Sequence, residues 1–368
     1  MIVVIADDFS GAAELAGIAW RYGLRAEIWI DLPDDSSRPV DVDLVAIDTD
    51  TRLASPVEAA KRVGTIAKAV SQRWQAQWIY KKTDSVLRGN IAAELAALRE
   101  ALGSERVWWV PANPSKGRVI RDGRYFIGDE PLDRTLFAHD PTHPIRESHV
   151  RKQAALELCP EVIVPDQVTS HHDLDHILSQ AGPNDLLAGA ADFFETGLKR
   201  RIAIQQGSVA DSTLLDQHRA AVIGGRWILC GSQAAWAQRK RTFQERDWPV
   251  LTLDRAAEWE SALGQAGSAV LLGIGEIQGE PERLCAQFAE QVAATLEAGA
   301  VAWPASILME GGATAVAVMR RFGASRFRVR GEIGPGAPWI EALDRALPLM
   351  CPKPGSYPWP IAAFEVEE

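Results

Sequence analysis

The sequence predicts an α/β protein of two domains, each a largely parallel sheet flanked by helices, with the ligand cleft between them. Three observations point there. Short apolar runs alternate with segments of 3.6-residue periodicity almost from end to end, the pattern of strands joined by crossover helices. A length of 368 residues suggests two domains of ordinary size rather than one. A polar stretch of weak periodicity, residues 205–216, separates the halves, so the first domain is expected over 1–210 and the second over 211–368.

Taken in order, residues 2–5 read as a buried strand, followed by a small-residue helix from Gly11 to about Gly23. Residues 26–30, 44–47, 78–82 and 107–110 read as further strands, and 56–73 and 91–102 as helices, the first with a proline at its start. Residues 111–150 break this rhythm. They are rich in Pro, Gly, Arg and Asp, and Arg121-Asp122-Gly123-Arg124 reads as a hairpin turn. Loop regions this long inside a domain are more often functional than idle. A strand at 163–164 and a helix at 173–181 close the first half. In the second half, residues 227–230, 250–253, 269–272, 306–309, 327–329 and 347–350 read as strands, and 281–298 and 314–321 as helices.

Composition narrows the function. A hydrophobic fraction of 47% is that of a globular protein. Lys+Arg 39 against Asp+Glu 49 leaves a formal charge of -10, which argues against nucleic acid or an anionic membrane as partner. No apolar run approaches the ~18 residues of a membrane span, and MIVVIADDFSG lacks a leader's basic start, so a cytoplasmic location is expected. Cys159, Cys230, Cys285 and Cys351 form no CxxC pair and read as reduced thiols.

In open α/β sheets, ligands bind beyond the carboxyl ends of strands. Asp7 and Asp8, then Ser10-Gly11, leave the first strand there. Adjacent carboxylates at such a position need a cation, a substrate hydroxyl or backbone donors; a helix cap would explain only one of them. Next, Lys81-Lys82-Thr83-Asp84-Ser85-Val86-Leu87-Arg88-Gly89-Asn90 runs from a strand into a helix start. Alternation sends Lys81 and Lys82 to opposite faces, and the three cationic side chains Lys81, Lys82 and Arg88 plus a helix N-terminus would suit a carboxylate or phosphate. Lys116 and Arg118 flank Gly117, as either a ligand loop or an exposed basic one. The His139/His143 spacing falls across prolines, so no helical metal pair is expected, and the identity of any metal ligand stays unknown.

The second half carries three glycine turns after strands: Gly231-Ser232, Gly311-Gly312-Ala313-Thr314, and the segment holding Gly334 and Gly336. Strand-turn-helix units with small-residue turns present bare N–H groups to phosphate. There is no GxxxxGK[ST] and no GxGxxG after the first strand, which excludes a Walker loop and argues against a standard dinucleotide fold.

These segments, in this order, resemble the four-carbon acid-sugar kinase family, whose members share ADD(L/F)TGA, KxDSxxRGNI, PA(x)PxxGR, DPxxP, a GS turn, GG(D/E)T and a terminal PGxP…KxG region. Here they read Ala6-Asp7-Asp8-Phe9-Ser10-Gly11-Ala12, Lys82 through Ile91, Pro111 through Arg118, Asp140-Pro141-Thr142-His143-Pro144, Gly231-Ser232, Gly311 through Thr314, Gly334-Pro335-Gly336-Ala337-Pro338 and Lys353-Pro354-Gly355. The resemblance implies an N-terminal sugar-acid domain, a C-terminal ATP domain, and transfer to the terminal hydroxyl of a threonate- or erythronate-like acid. It implies that Asp8, Arg52, Lys82, Thr83, Asp84, Ser85 and Arg88 hold the acid, and that Ser232, Gly311, Gly312, Ala313, Thr314, Gly334, Gly336 and Gly355 hold ATP, with Mg²⁺ as companion.

Asp8, or Asp7 beside it, is the expected base. The partner is a small molecule, with room left for a homo-oligomer. One departure stands out: the family's acid in GG(D/E)T is Ala313 here, with Glu310 and Glu332 as replacements to consider. The alternative is therefore a non-catalytic or weakened paralogue that binds a sugar acid or nucleotide. A phosphatase of the haloacid-dehalogenase type is disfavoured, because its aspartates are spaced D-x-D and these are adjacent.

Overall fold

A computed structural model describes residues 1–33, 38–140, 143–206, 225–264, 269–355 and 357–364. The expected domain boundary at 210/211 lies outside the described residues. Along the chain the elements are β1 (Ile2–Ala6), α1 (Phe9–Arg21), β2 (Ala26–Ile30), β3 (Leu44–Asp48), α2 (Pro56–Gln72), β4 (Trp78–Lys82), α3 (Ile91–Leu102) and β5 (Val107–Val110). A small antiparallel sheet follows, with β6 (Arg118–Arg121), β7 (Arg124–Ile127) and β8 (Glu130–Pro131), then α4 (Val150–Gln153), β9 (Val162–Ile163), α5 (His171–Gln180), β10 (Leu186–Gly189) and α6 (Ala191–Gln206). The later half contains β11 (Arg226–Cys230), α7 (Gln233–Gln244), β12 (Val250–Thr252), α8 (Trp259–Leu263), β13 (Ala269–Gly273) and α9 (Pro281–Glu297). It closes with β14 (Ser306–Glu310), α10 (Gly312–Arg321), β15 (Arg326–Gly334), β16 (Ala337–Ala342) and β17 (Leu349–Lys353).

The chain forms two compact units, one of Met1–Leu15 with Asp31–Leu214 and one of Ala16–Ile30 with Leu215–Glu368. Residues 16–30, which the sequence pattern leaves with the first half, thus pack with the second. The reason is β2, which pairs antiparallel with β15.

In the first unit the strand order β3-β1-β4-β10-β5-β9 is parallel throughout. All its carboxyl ends therefore lie along one edge. Its strands are almost entirely buried, as parallel strands covered on both faces are, and Trp78 stacks on Phe194 with ring centroids 5.3 Å apart. The anticipated hairpin turn is present: Asp122 and Gly123 both take positive φ (49° and 70°), the geometry of a two-residue turn between β6 and β7.

β10 and α6 were not read from the sequence. β10 is only four residues long and owes its place to its neighbours β4 and β5. Gly189 at its end approaches so closely that a Cβ would overlap the Val110 carbonyl oxygen, and its φ is +145°.

In the second unit β12-β13-β11-β14-β17 are parallel, and β16, β15 and β2 extend them antiparallel. The sheet is therefore mixed. The strand-turn-helix expected after residue 329 is instead the β15–β16 hairpin. Ile228, Phe243, Leu271, Leu308, Trp339 and Cys351 form part of its core.

Gly189→Ala is expected to cost about 3 kcal/mol or more, combining overpacking with an unfavourable backbone angle. Chemical denaturation checks it, and a cost below about 1 kcal/mol would show that this approach is not as tight as described.

Candidate functional site

The carboxyl edge of the first unit's sheet carries a dense polar cluster. β1 ends at Ala6 and leaves Asp7 buried and Asp8 half-buried. Asp8 Oδ1 accepts from the Gly11 amide at 2.8 Å, capping α1, and Oδ2 accepts from the Ser10 hydroxyl at 2.5 Å. The cap expected of one carboxylate therefore falls on Asp8.

Both acids also converge on Arg52. Its Nε donates to Asp7 Oδ2 at 2.8 Å and its Nη1 to Asp8 Oδ2 at 2.7 Å, while Nη2 lies 3.7 Å from Asp84 Oδ1. Burial alone would lower the Arg52 pKa, but Asp7, Asp8 and Asp84 together raise it well above its ordinary value. Burial likewise would raise Asp8, yet Arg52, then Lys82, and the bonds from Ser10 and Gly11 hold its carboxyl below the usual range. Asp8 is ionised at neutral pH.

The loops are fastened around this centre. The Thr51 and Arg52 amides donate to the Asp7 carbonyl at 3.0 and 3.2 Å. Asn90 Nδ2 donates to the carbonyls of Thr51 and Ala54, both at 2.8 Å. His143 Nε2 donates to the Arg52 carbonyl at 3.0 Å, which fixes the proton on that nitrogen. Gly89 allows the close approach: its φ is +91° and a Cβ would lie 3.4 Å from Arg52 Cγ.

Asp84 is held by Arg88, whose Nε and Nη2 donate at 2.8 and 3.1 Å. Burial opposes ionisation of Asp84, but Arg88 and Arg52 keep its carboxyl far below the carboxylate range. Arg88 Nη1 also donates to Asp140 Oδ2 at 3.0 Å. Lys81 and Lys82 diverge as strand alternation requires. Lys81 is fully buried against Glu94, 2.7 Å away, and Lys82 faces the site, 3.6 Å from Glu14. A Cβ on Gly11 would sit 3.3 Å from Lys82 Nζ.

The three cations expected to suit an anion, Lys81, Lys82 and Arg88, are not brought to one point. Arg52 and Arg88 are neutralised by Asp7, Asp8, Asp84 and Asp140, and Lys81 faces away. Thr83 and Ser85 are engaged too: Thr83 Oγ1 accepts from Trp109 Nε1 at 3.0 Å, and Ser85 Oγ accepts from Arg118. Lys116 and Arg118 flank the same glycine, but Lys116 is exposed and Arg118 buried. Asn113, Tyr125 and Asp192 also belong to this edge, with no charge pattern or glycine spacing to mark them. The Tyr125 hydroxyl sits 2.6 Å from the Ser85 carbonyl and 3.0 Å from that of Pro111. Among the described residues no group of three or more His, Cys, Asp or Glu side chains is placed to hold a metal ion.

In the second unit, Gly231-Ser232 opens α7 and Gly311 caps α10 with φ +111°. These turns interlock. A Cβ on Gly231 would overlap the Thr314 hydroxyl, and one on Gly355 would lie 2.9 Å from Ser232 Oγ. Ser232, Gly311, Thr314 and Gly355 are therefore one cluster, with Ala313 exposed beside them.

Glu310 is fully buried. Arg239 donates to it at 2.9 and 3.1 Å, and Lys353 Nζ lies 3.0 Å away; burial would raise its carboxyl but these cations hold it low. Glu332 accepts from the Gly336 amide at 2.8 Å and lies 3.3 Å from Arg21. Both acids considered as replacements at Ala313 already have structural partners. Gly334 and Gly336 belong to the β15–β16 hairpin; a Cβ at Gly334 would overlap Pro360, and Gly336 has φ +80°. The glycines there serve a β-turn, not a helix N-terminus.

Residues 2–159 match the family described as a sugar-binding N-terminal domain, and residues 213–357 the one described as a nucleotide-binding C-terminal domain. The chain belongs to the four-carbon acid-sugar kinase family. It is 33% identical over 156 residues to a D-threonate kinase of Salmonella typhimurium, covering 42% of this chain and 36% of that protein. It is 32% identical over 151 residues to a D-erythronate kinase of Heliobacterium modesticaldum, covering 40% and 34%. In these matches the chain spans about a third of the relatives' length. A 3-oxo-tetronate kinase of Cupriavidus necator aligns at 25% identity over 415 positions, covering 97% of this chain and 94% of that protein.

Crystal structures from Salmonella typhimurium LT2 (TM-score 0.74, 21% identity, 99% and 98% covered) and Haemophilus influenzae (TM-score 0.66, 18% identity, 97% and 97% covered) share the fold. No helix among the described residues is long and apolar enough to cross a membrane.

The depressed Asp84 and Asp8 carboxyls contribute stability that is present above the unfolded pKa near 4 and lost as pH falls. Asp84→Asn should cost about 2–4 kcal/mol at pH 7 by removing one of the two carboxylates that hold Arg88 and the charge nearest Arg52 Nη2. The gap from wild type should then narrow below about pH 4. A gap of equal size at pH 3 and pH 7 would show that the ionised carboxylate is not its source.

Proposed function

We propose that this protein is an ATP-dependent kinase that phosphorylates the terminal hydroxyl of a four-carbon sugar acid of the threonate or erythronate class. The observation that carries the reading is the Asp7–Asp8–Arg52–Asp84 cluster at the carboxyl edge of a parallel sheet, in a chain whose relatives are kinases of such acids. Asp8 is the more accessible of the adjacent pair, with its side chain 18% exposed against 4% for Asp7. Held ionised, it accepts the proton of the attacking hydroxyl. Asp7 fixes Arg52, and Asp84 fixes Arg88, so these residues frame the pocket.

Lys82 supplies positive charge beside Asp8. The interlocked turns of Ser232, Gly311, Gly312, Thr314 and Gly355 receive the phosphates of ATP, whose magnesium arrives with the nucleotide as substrate. Alignment and charge neutralisation are the main demands of phosphoryl transfer. Wild type should release ADP with one member of a panel of four-carbon sugar acids, and Asp8→Asn should lower kcat about 10²–10⁴-fold. Unchanged kcat in that variant would remove Asp8 as the base.

A second reading, a weakened or binding-only paralogue, is favoured by Ala313, whose missing carboxylate neither Glu310 nor Glu332 supplies. Because Ala313 is exposed in the first turn of α10, Ala313→Asp fits without repacking. If the family acid assists nucleotide use, this variant should raise kcat/KM for ATP at least about fivefold, a gain of roughly 1 kcal/mol. No change would show that the turn works without the acid, and no turnover by either protein, with an acid still raising Tm, would support the binding-only reading.

A further inference from the structure

Asn113 lies at the carboxyl edge of the first unit's sheet, three residues past the end of β5, and is 1% exposed. Its backbone pairs with Arg118 in both directions, at 2.7 and 3.1 Å, and Arg118 in turn donates to Ser85. Gly189, at the end of β10, pairs with both Lys82 and Val110. The loop of Asn113 is thereby fastened beside the Lys82–Ser85 segment.

The orientation of its side-chain amide is chemically determined. Oδ1 accepts from the Asp192 amide at 2.9 Å, at the start of α6. An N–H donor cannot face the NH₂ group, so the other end is Nδ2. That Nδ2 is buried and has no hydrogen-bond partner. Buried donors without acceptors are rare and costly, and each one calls for an account.

The surrounding charges supply that account. A sugar acid brings a carboxylate and several hydroxyl oxygens, all acceptors. Arg52 places Nε and Nη1 on Asp7 and Asp8, Arg88 places its nitrogens on Asp84 and Asp140, and one donor of Lys82 Nζ goes to the Thr83 carbonyl at 3.1 Å. The Asn113 Nδ2 group is a fixed donor at this edge that no internal acceptor uses. We propose that Asn113 is a substrate-contacting specificity residue, donating through Nδ2 to an oxygen of the sugar acid. This rests on the sugar-acid reading given above.

Asn113→Asp is the discriminating variant. It is the same size and keeps an oxygen for the Asp192 amide, but replaces the donor with an acceptor that repels the acid. Acid affinity is measured by calorimetry without nucleotide, and turnover by ADP release, on wild type, Asn113→Asp and Asn113→Ala. The expected result is a Kd and KM for the acid raised at least about tenfold in both variants, more in Asn113→Asp, with kcat lowered less than about threefold, a loss matching one hydrogen bond to a charged group. Tm is measured on both variants, because Asn113→Asp keeps the oxygen that caps α6 but buries a charge, whereas Asn113→Ala loses the cap and buries none, so the Kd comparison is read on folded protein.

Unchanged Kd in a folded Asn113→Asp overturns the proposal, as does a loss confined to kcat. If wild type binds an acid but never turns it over, the kinase reading falls and the Kd comparison alone decides Asn113. If wild type binds no acid in the panel, both fall.

Discussion

The organisation of the first unit turns on one guanidinium. Arg52 lies between three carboxylates from two separate loops, and no other described cation contacts both members of the adjacent pair as hydrogen-bond donor. Without it, Asp7 and Asp8 would leave a buried strand as neighbouring anions, an arrangement that protonation alone would relieve. The protein secures Arg52 by its main chain as much as by its side chain. Its amide and that of Thr51 donate to Asp7, its carbonyl accepts from His143, and Asn90 ties down the residues on either side. An arginine so constrained cannot withdraw, so Asp8 and Asp84 remain ionised and all three carboxylates oriented before any ligand arrives. Such preorganisation is what electrostatic catalysis requires.

Stability is a poor explanation for this cluster. Buried ion pairs of this density gain little over well-packed apolar side chains of the same volume, because desolvation offsets the attraction. The same unit buries Trp74, Trp109, Tyr80, Phe193 and Phe194 at under 2% exposure, so apolar packing was available to it. Concentrating Asp7, Asp8, Asp84, Asp140, Arg52, Arg88 and Lys82 at the strand ends makes sense when a polar ligand completes the network. The internal pairing of the arginines bears on which ligand groups are recognised. A cluster whose cations are already balanced discriminates by hydrogen-bond geometry more than by net charge.

The sequence was most informative where local pattern and structure share one cause. Parallel strands buried on both faces appear as continuous apolar runs, so β1, β3, β4, β5, β11, β13 and β14 were legible, and the Asp122-Gly123 turn announced itself by residue type. The segments at Asp7, Lys82, Pro111, Gly231 and Gly311 also fell at strand ends as expected. What was missed depends on partners distant in sequence. β10 exists because β4 and β5 flank it, β2 joins the second unit because β15 pairs with it, and β16 is hidden by prolines and glycines that here build a hairpin. At the site, residue type could not show that Arg88 answers Asp84 and Asp140, or that Lys116 and Arg118, two residues apart, point to solvent and to Ser85 respectively. Asn113 fills the variable position of the PA(x)PxxGR segment, and only its unsatisfied amide singles it out.

The second unit shows how far small residues alone can define a site. Thr314 occupies the space a side chain at Gly231 would need, and Ser232 the space of one at Gly355. Each glycine is thus required by a hydroxyl residue of the opposing turn. Beneath them the buried Glu310 links Arg239 on α7 to Lys353 at the end of β17. That ion pair network fixes α7, β14 and β17 against one another, which sets the spacing of the turns they carry. A carboxylate at position 313 is not part of that framework, since Ala313 is exposed while the framework is buried. Its absence therefore leaves the shape of the turn intact and alters only what the turn offers to a ligand.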